Sequence, residues 1–201
     1  MMKSILLTIF FFFGVLNFYS QERIEIKKLG FSMDVPNDWI SVNNDDILKN
    51  LDNYELTDDQ LEELLKKNNS SFNISTYTKY DSRKYSGIIP TIKIRTILNE
   101  SKDSKDFLKF VQDSNESAKK ALTNFRFVDN PTIVQISNND VVKFSVQFLL
   151  KNQGKEYEIK SNSYYILRKG YYISLNFIEE VGKEDNNNLF EKLIKSIALT
   201  K

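Results

Sequence analysis

The sequence contains no cysteine and no histidine. The first absence excludes disulfides, thiolate nucleophiles, zinc fingers, iron–sulfur clusters and the lipobox that precedes N-terminal lipidation. The second excludes a Ser-His-Asp triad, a His-ligated metal and an imidazole proton shuttle. An excess of one charge is also lacking, because 28 Lys+Arg stand against 27 Asp+Glu in 201 residues. So balanced a chain has no electrostatic footprint for nucleic acid.

What is present begins with an address. Met1-Met2-Lys3 is a short positive start, and Ile5 to Leu16 is almost wholly apolar, including four consecutive phenylalanines from Phe10 to Phe13. Asn17 to Ser20 follow, and Gln21-Glu22-Arg23 opens a polar region. This is the layout of a secretory signal peptide, with the cut expected after Ser20. The apolar stretch is about 12–15 residues, short of the roughly 20 that span a bilayer as a retained anchor. A buried core helix fits less well, since phenylalanine lies all round it and a lysine leads it. Nothing later in the chain is long and apolar enough to span a membrane. The expected location is therefore periplasmic or secreted. Lys3 is the one charged residue among the first twenty, so residues 21–201 balance 27 bases against 27 acids. That length fits a single domain held by its core alone, burying about 70% of its unfolded surface. The 21 asparagines, with many lysines and isoleucines, suggest an AT-rich bacterial genome.

Along residues 21–201, periodicity separates strands from helices. Ile24, Ile26 and Leu29 read as a strand broken by Gly30. Phe31, Met33 and Val35 alternate with polar residues until Pro36 stops them, and Trp39 is placed to seal the core beside that turn. Thr57-Asp58-Asp59-Gln60 is a capping-box pattern, followed by Leu61, Leu64 and Leu65 on one helical face. Phe72, Ile74 and Thr76 predict a strand, Tyr80 to Pro90 a loop, and Ile92, Ile94 and Leu98 another strand. Asp103 to Leu122 carries Phe107, Phe110, Val111, Ala118 and Leu122 at three- and four-residue steps and predicts the best helix. Phe125 and Phe127 lead to Asn130-Pro131, after which a strand from Ile133 turns at Asn138-Asn139. Three more alternating runs follow, separated by Asn152-Gln153-Gly154 and Lys169-Gly170. A helix from about Asp185 closes the chain, with Phe190, Leu193 and Ile197 on its apolar face. The expected fold is α+β: an antiparallel sheet with a C-terminal four-strand meander, packed by three amphipathic helices.

Two stretches bear a resemblance. Phe31-Ser32-Met33-Asp34-Val35-Pro36-Asn37-Asp38-Trp39 resembles the opening of PsbP-like domains, where a strand ends in Pro-x-x-Trp or Pro-x-Gly-Trp. Gly170 to Phe177, and the helix with Phe190, Leu193, Ser196 and Ile197, are similar to the family's last strand and closing helix. The resemblance covers residues 30–39 and 163–198, and the middle matches in element order. It implies an antiparallel sheet between helices. It also implies a protein without an active site, since members such as photosystem accessory subunits and a Ran-binding import factor mostly lack one. No functional residue carries over, and the fold does not fix the function.

Candidate chemistry is sparse. Asp58, Asp59, Glu62 and Glu63 form the densest acidic group, which reads either as a Ca²⁺ site or as a helix start favoured by its dipole. Glu179-Glu180 suggests the paired carboxylates of a glycosidase, but neighbours on a strand point to opposite faces. Ser82, Arg83 and Lys84 bring a Ser/Lys pair into one loop without an elbow or Ser-x-x-Lys motif. That loop also holds Tyr85, and Arg83, Lys84 and Tyr85 are the preferred contacts for a protein partner, because Tyr and Arg are enriched at hot spots. Lys93 and Arg95 join them. With Lys143, Ser145 and Gln147 they are the polar phase of two strands, which reads either as a solvated sheet face with some cross-strand pairing or, if that face is only partly covered, as a polar groove. Tyr164-Tyr165 and Tyr171-Tyr172 are each expected to keep one ring in the core and offer the other to the surface.

The reading that follows is an exported, non-enzymatic binding or accessory protein of a bacterial envelope. Its partner would be an unknown envelope protein, and it needs no cofactor, metal or nucleic acid. Two alternatives remain open at this point. A periplasmic carrier of a lipid or other small ligand would show a large apolar pocket. A hydrolase would show convergent acids or a Ser–Lys contact.

Overall fold

In a computed structural model, residues 22–43, 57–152 and 154–200 are described. The expected signal peptide, residues 1–20, lies outside them, as does Gln153 of the turn Asn152-Gln153-Gly154. The described strands are β1 (Arg23–Ile26), β2 (Phe31–Asp34), β3 (Ile40–Asn43), β4 (Ser71–Thr78), β5 (Thr91–Leu98), β6 (Thr123–Ile136), β7 (Asn139–Asn152), β8 (Lys155–Arg168), β9 (Tyr171–Glu180) and β10 (Ala198–Leu199). The described helices are α1 (Asp58–Lys67), α2 (Ser104–Ala121) and α3 (Asn187–Lys195). No helix among the described residues is long and apolar enough to cross a membrane.

The strands form two sheets. A large one has the order β3-β4-β5-β9-β8-β7-β6, and a small one the order β1-β2-β10. All pairs are antiparallel, and β6 to β9 are the expected meander. The fold is α+β, as the periodicity predicts. The inner face of the large sheet packs against the small sheet, α1 and α3. Ile92, Ile94, Leu175 and Phe177 of the large sheet share one core with Ile26, Phe31, Leu61, Leu65 and Phe190. Trp39 joins this core and meets Phe190 edge-on at 6.3 Å, which is the seal its position predicts. The outer face carries a second core, in which Phe107 and Val111 of α2 cover Phe144, Val142 and Val146 of β7.

Helix ends follow local chemistry. Thr57 accepts from the Gln60 backbone N–H at 3.2 Å, while the Gln60 side chain accepts from the Thr57 N–H at 2.8 Å. Asp103 caps α2 by accepting from the N–H groups of Lys105 and Asp106, both at 2.9 Å. Those bonds, the one from Asp106 first, hold its carboxyl below the usual range. Gly30 ends a short 3₁₀ turn with φ 55°, a left-handed conformation that a side chain would strain. Its carbonyl accepts from Thr200 N–H at 2.9 Å, which attaches β10 to the turn between β1 and β2.

Several expectations are corrected. Pro131 does not divide the chain there. It lies within β6, an edge strand whose register shifts three times, and an edge or a bulge is where a strand tolerates proline. The turn after β6 uses Ser137 and Asn138, both at positive φ, and Asn139 already pairs with Ile136. Residues after Trp39 form β3, a strand the sequence reading leaves out. Tyr171 and Tyr172 are both buried, one in each core. Neighbouring strand residues reach opposite faces, and here both faces are covered.

Candidate functional site

Cover on the outer face is incomplete. α2 lies over β6 and β7 and reaches Tyr172 of β9, with Ile97 of β5 at the border of the same cluster; among the described residues its main contacts stop short of β3, β4 and the Thr91–Arg95 stretch of β5. Following the register from strand to strand gives the rows that remain. One runs Val42, Thr76, Lys93, Asn176, Ser163 and ends at Phe144 under α2. The next runs Asn73, Arg95, Ser174, Tyr165 and ends at Val142. On the other side lie Ile40, Thr78, Thr91, Ile178 and Ser161. The rows pass from an apolar edge, across two cations, to a line of hydroxyls and an amide beside the second core.

Ile40 is 44% exposed and Val42 56% exposed. Such values on a strand mean that this end of the face presents apolar side chains to solvent. Lys93 and Arg95 are half-buried. They lie two residues apart on one strand, about 7 Å. The Lys93 ammonium makes no hydrogen bond or ion pair with any described residue. Arg95 donates to the Ser71 hydroxyl at 2.8 Å, a contact that orients the guanidinium without neutralising it. Ser163 donates to Asn176 Oδ1 at 2.8 Å, and Asn176 Nδ2 donates to the Ser174 hydroxyl at 2.7 Å. This chain fixes the amide between the two serines. Burial pushes the Tyr165 phenol above its ordinary value, with Ser174, Arg95 and Ser163 pulling part of the way back. Its hydroxyl is thus a neutral group at physiological pH. Tyr165 is held by Phe144 at 5.0 Å and Tyr172 at 5.1 Å, so the border with the second core is rigid.

The groove reading of Lys93, Arg95, Lys143, Ser145 and Gln147 does not hold, because they do not share a face. Cross-strand partners share a face, and Lys143, Ser145 and Gln147 pair with Tyr164, Asn162 and Lys160, whose partners on β9 are Leu175, Phe177 and Glu179. Those belong to the inner face. Lys93 and Arg95 pair with Asn176 and Ser174 on the outer face. The two halves of that groove are therefore on opposite sides of one sheet. Ser145 donates to Asn162 at 2.7 Å, and Lys143 lies over the Tyr164 ring at 5.9 Å, so the inner set has its own partners.

The loop after β4 is a separate feature. Tyr85 stacks on Tyr80 at 4.6 Å, and Lys183 lies 5.3 Å above its ring. The Tyr80 hydroxyl donates to Glu184 at 2.7 Å, and Lys79 pairs with the same carboxylate at 2.5 Å. That ammonium first, and the Tyr80 hydroxyl after it, hold Glu184 below the usual carboxylate range. Tyr85 is thus part of the packing that ties the loop to the chain after β9. Arg83 pairs with Asp81 at 2.9 Å with its side chain 86% exposed, and Lys84 is exposed. Lys93 and Arg95 are three and five residues beyond Pro90, about 10 and 17 Å along the strand.

The remaining candidates resolve into local pairs. Glu179 points to the inner face, where it is buried and accepts from Asn186 Nδ2 at 3.2 Å. Glu180 takes the outer face and pairs with Lys183 at 3.0 Å. Asp58 pairs with Lys28 at 3.0 Å and Glu62 with Lys66 at 2.7 Å. A cleft of about 570 Å³ beside the β8–β9 turn is lined by groups such as Asn99, Glu100, Lys102 and Arg168. Another of about 390 Å³ is lined by groups such as Lys160, Glu179, Lys183 and Glu184. Charged walls of this kind do not suit a lipid chain.

No family model matches the chain, and no curated protein matches it. Among solved structures, the chain is similar to one from Bacteroides thetaiotaomicron, with 13% identity, a TM-score of 0.49 and 90% of this chain covered. The chain spans about half, 49%, of that protein. It is similar to LpqN of Mycobacterium tuberculosis, described as involved in cell envelope biogenesis, with 10% identity, a TM-score of 0.45, and 90% and 86% of the two chains covered. It is similar to the Ran-binding protein Mog1p of Saccharomyces cerevisiae, with 12% identity, a TM-score of 0.46, and 89% and 95% covered. These are likenesses of architecture and carry no residue or partner across.

Proposed function

We propose that this chain is an exported, non-enzymatic binding protein of a bacterial envelope, PsbP-like in kind, that acts by protein–protein contact through the open outer face of its large sheet. The observation that supports the reading is the composition of that face. Exposed Ile40 and Val42 stand beside Lys93, a cation without a partner among the described residues. Exposed apolar side chains bordered by polar and charged ones are the make-up of a contact surface. Export rests on the N-terminal segment, with cleavage after Ser20 giving a protein of residues 21–201.

The test is capture from the native envelope with tagged residues 21–201, read by mass spectrometry. One saturable protein partner is expected, lost with Lys93→Glu/Arg95→Glu and kept with Arg83→Ala/Lys84→Ala. Loss with the second variant alone would move the contact to the loop. Absence of any partner, with a small molecule co-purifying, would replace the reading with a ligand carrier.

A further inference from the structure

The open face is charged as well as exposed, and its charge has one sign where it matters. On the outer face of β3, β4, β5 and β9 the described residues include one acid, Glu180, at the far end of β9. That acid is neutralised by Lys183 at 3.0 Å. Among the described residues Lys93 and Arg95 have no carboxylate partner, although the whole chain is balanced at 28 bases to 27 acids. Some cations elsewhere do find carboxylates, as Arg126 does with Glu158 at 2.7 Å and Arg23 with Asp34 at 2.5 Å, while lysines such as Lys84 and Lys169 are exposed to solvent. Lys93 and Arg95 differ from the exposed lysines in being half-buried and adjacent on one face of the sheet.

We infer that the occupant of this face is an extended acidic segment of a partner protein, with two carboxylates spaced to meet Lys93 and Arg95 and aliphatic side chains to meet Ile40 and Val42. This rests on the reading of the open face as the contact surface. Two positions apart on an extended segment is about 7 Å, the spacing of Lys93 and Arg95 on their own strand. Ser71 already holds one Arg95 nitrogen, which leaves the remaining guanidinium donors for a carboxylate. Thr76 lies between Val42 and Lys93 in the same row, under the backbone of such a segment, and Asn176, fixed between Ser163 and Ser174, borders Lys93 on the other side. The exposed Ile40 and Val42 decide between classes of anion. A sulfated sugar or free phosphate has no aliphatic group to place at that edge, whereas a peptide alternating acidic and aliphatic residues uses both.

The experiment uses residues 21–201 and two synthetic peptides, one alternating glutamate with valine and one with every glutamate replaced by glutamine. Binding is read by fluorescence anisotropy, and its location by backbone amide shifts. The glutamate peptide is expected to saturate, to bind at least tenfold more tightly than the glutamine peptide, and to shift the amides of Lys93, Arg95 and Asn176. Its affinity should fall steeply between 0.05 and 0.5 M salt, because the cations are half-exposed. Lys93→Gln/Arg95→Gln should remove the preference for the acidic peptide. The peptide comparison on the unmodified protein does not depend on the variant folding. Equal binding of the two peptides overturns the inference, and so does preference for a sulfated oligosaccharide over the glutamate peptide. If those results come while an envelope partner is still captured, the acidic occupant fails and the binding function stands.

Discussion

Thr96 lies on β5 between Arg95 and Ile97, with its side chain on the inner face opposite the candidate site. It is fully buried, between Phe72 and Ile173 on the neighbouring strands. Its hydroxyl has no hydrogen-bond partner among the described residues. A buried hydroxyl without a partner costs about 1–3 kcal/mol of desolvation. Valine keeps the β-branched shape that a strand favours and puts a methyl group where the hydroxyl was. Thr96→Val is therefore expected to stabilise the protein by about 1–2 kcal/mol. For a chain of this size each kcal/mol raises the melting temperature by about 2–4 °C. The assay is urea unfolding of both proteins with the slope fixed, supported by a thermal scan. Thr96→Ser is the companion, since it keeps the orphan hydroxyl and loses a methyl, and it should destabilise by about 1 kcal/mol. A lower midpoint for Thr96→Val would show that the hydroxyl is bonded and that the inner row of β5 packs differently. Because Thr96 faces away from Lys93 and Arg95, the substitution should leave peptide binding unchanged.

Glu184→Gln tests the tie between the loop and the chain after β9. The folded carboxyl titrates below its ordinary value, so its contribution is present above about pH 4.5 and is lost as pH falls through the folded value. The variant should be slightly less stable than the parent at pH 7, by less than about 1 kcal/mol for a pair this close to the surface. It should lose less stability between pH 5 and pH 3, and a urea midpoint measured across that range would decide. Gly30→Ala puts a side chain at φ 55° and against the backbone of Thr200, so it should cost about 1–3 kcal/mol and release β10, seen as faster hydrogen exchange at Thr200. Unchanged exchange there would show that Gly30 is not what holds the small sheet together.

Local chemistry made much of the fold legible. The capping box at Thr57 and Gln60, the cap at Asp103, the apolar spacing of α2 and α3, and the tight turns of the meander all depend on neighbours in sequence. A short turn also fixes register, so the pairings among β7, β8 and β9 follow from the chain itself. The pairing of β5 with β9 is different. Some eighty residues separate Lys93 from Asn176, and alternation within each strand does not say which phase of one meets which phase of the other. That is why Lys93 and Arg95 were readable as polar strand positions while their separation from Lys143, Ser145 and Gln147 was not. The open face was hidden for the same reason. Asn176, Ser163 and Ser174 become neighbours of the two cations only through that long-range pairing, and the exposure of Ile40 and Val42 depends on where α2 stops. Small polar residues on β8 and β9, where large apolar ones would otherwise face α2, are the one signal in the sequence that could have marked it.

The central claim is that the outer face beside Lys93 is where a partner protein docks. Its most direct test is a photo-crosslinking residue placed at Thr76, next to Lys93 in the same row, with controls at Lys84 in the loop and Lys119 on the exposed side of α2. In the native envelope, Thr76 is expected to yield one crosslinked protein species, abolished by Lys93→Glu/Arg95→Glu, with the controls giving none of it. A species formed at Lys84 or Lys119 and absent at Thr76 would contradict the claim.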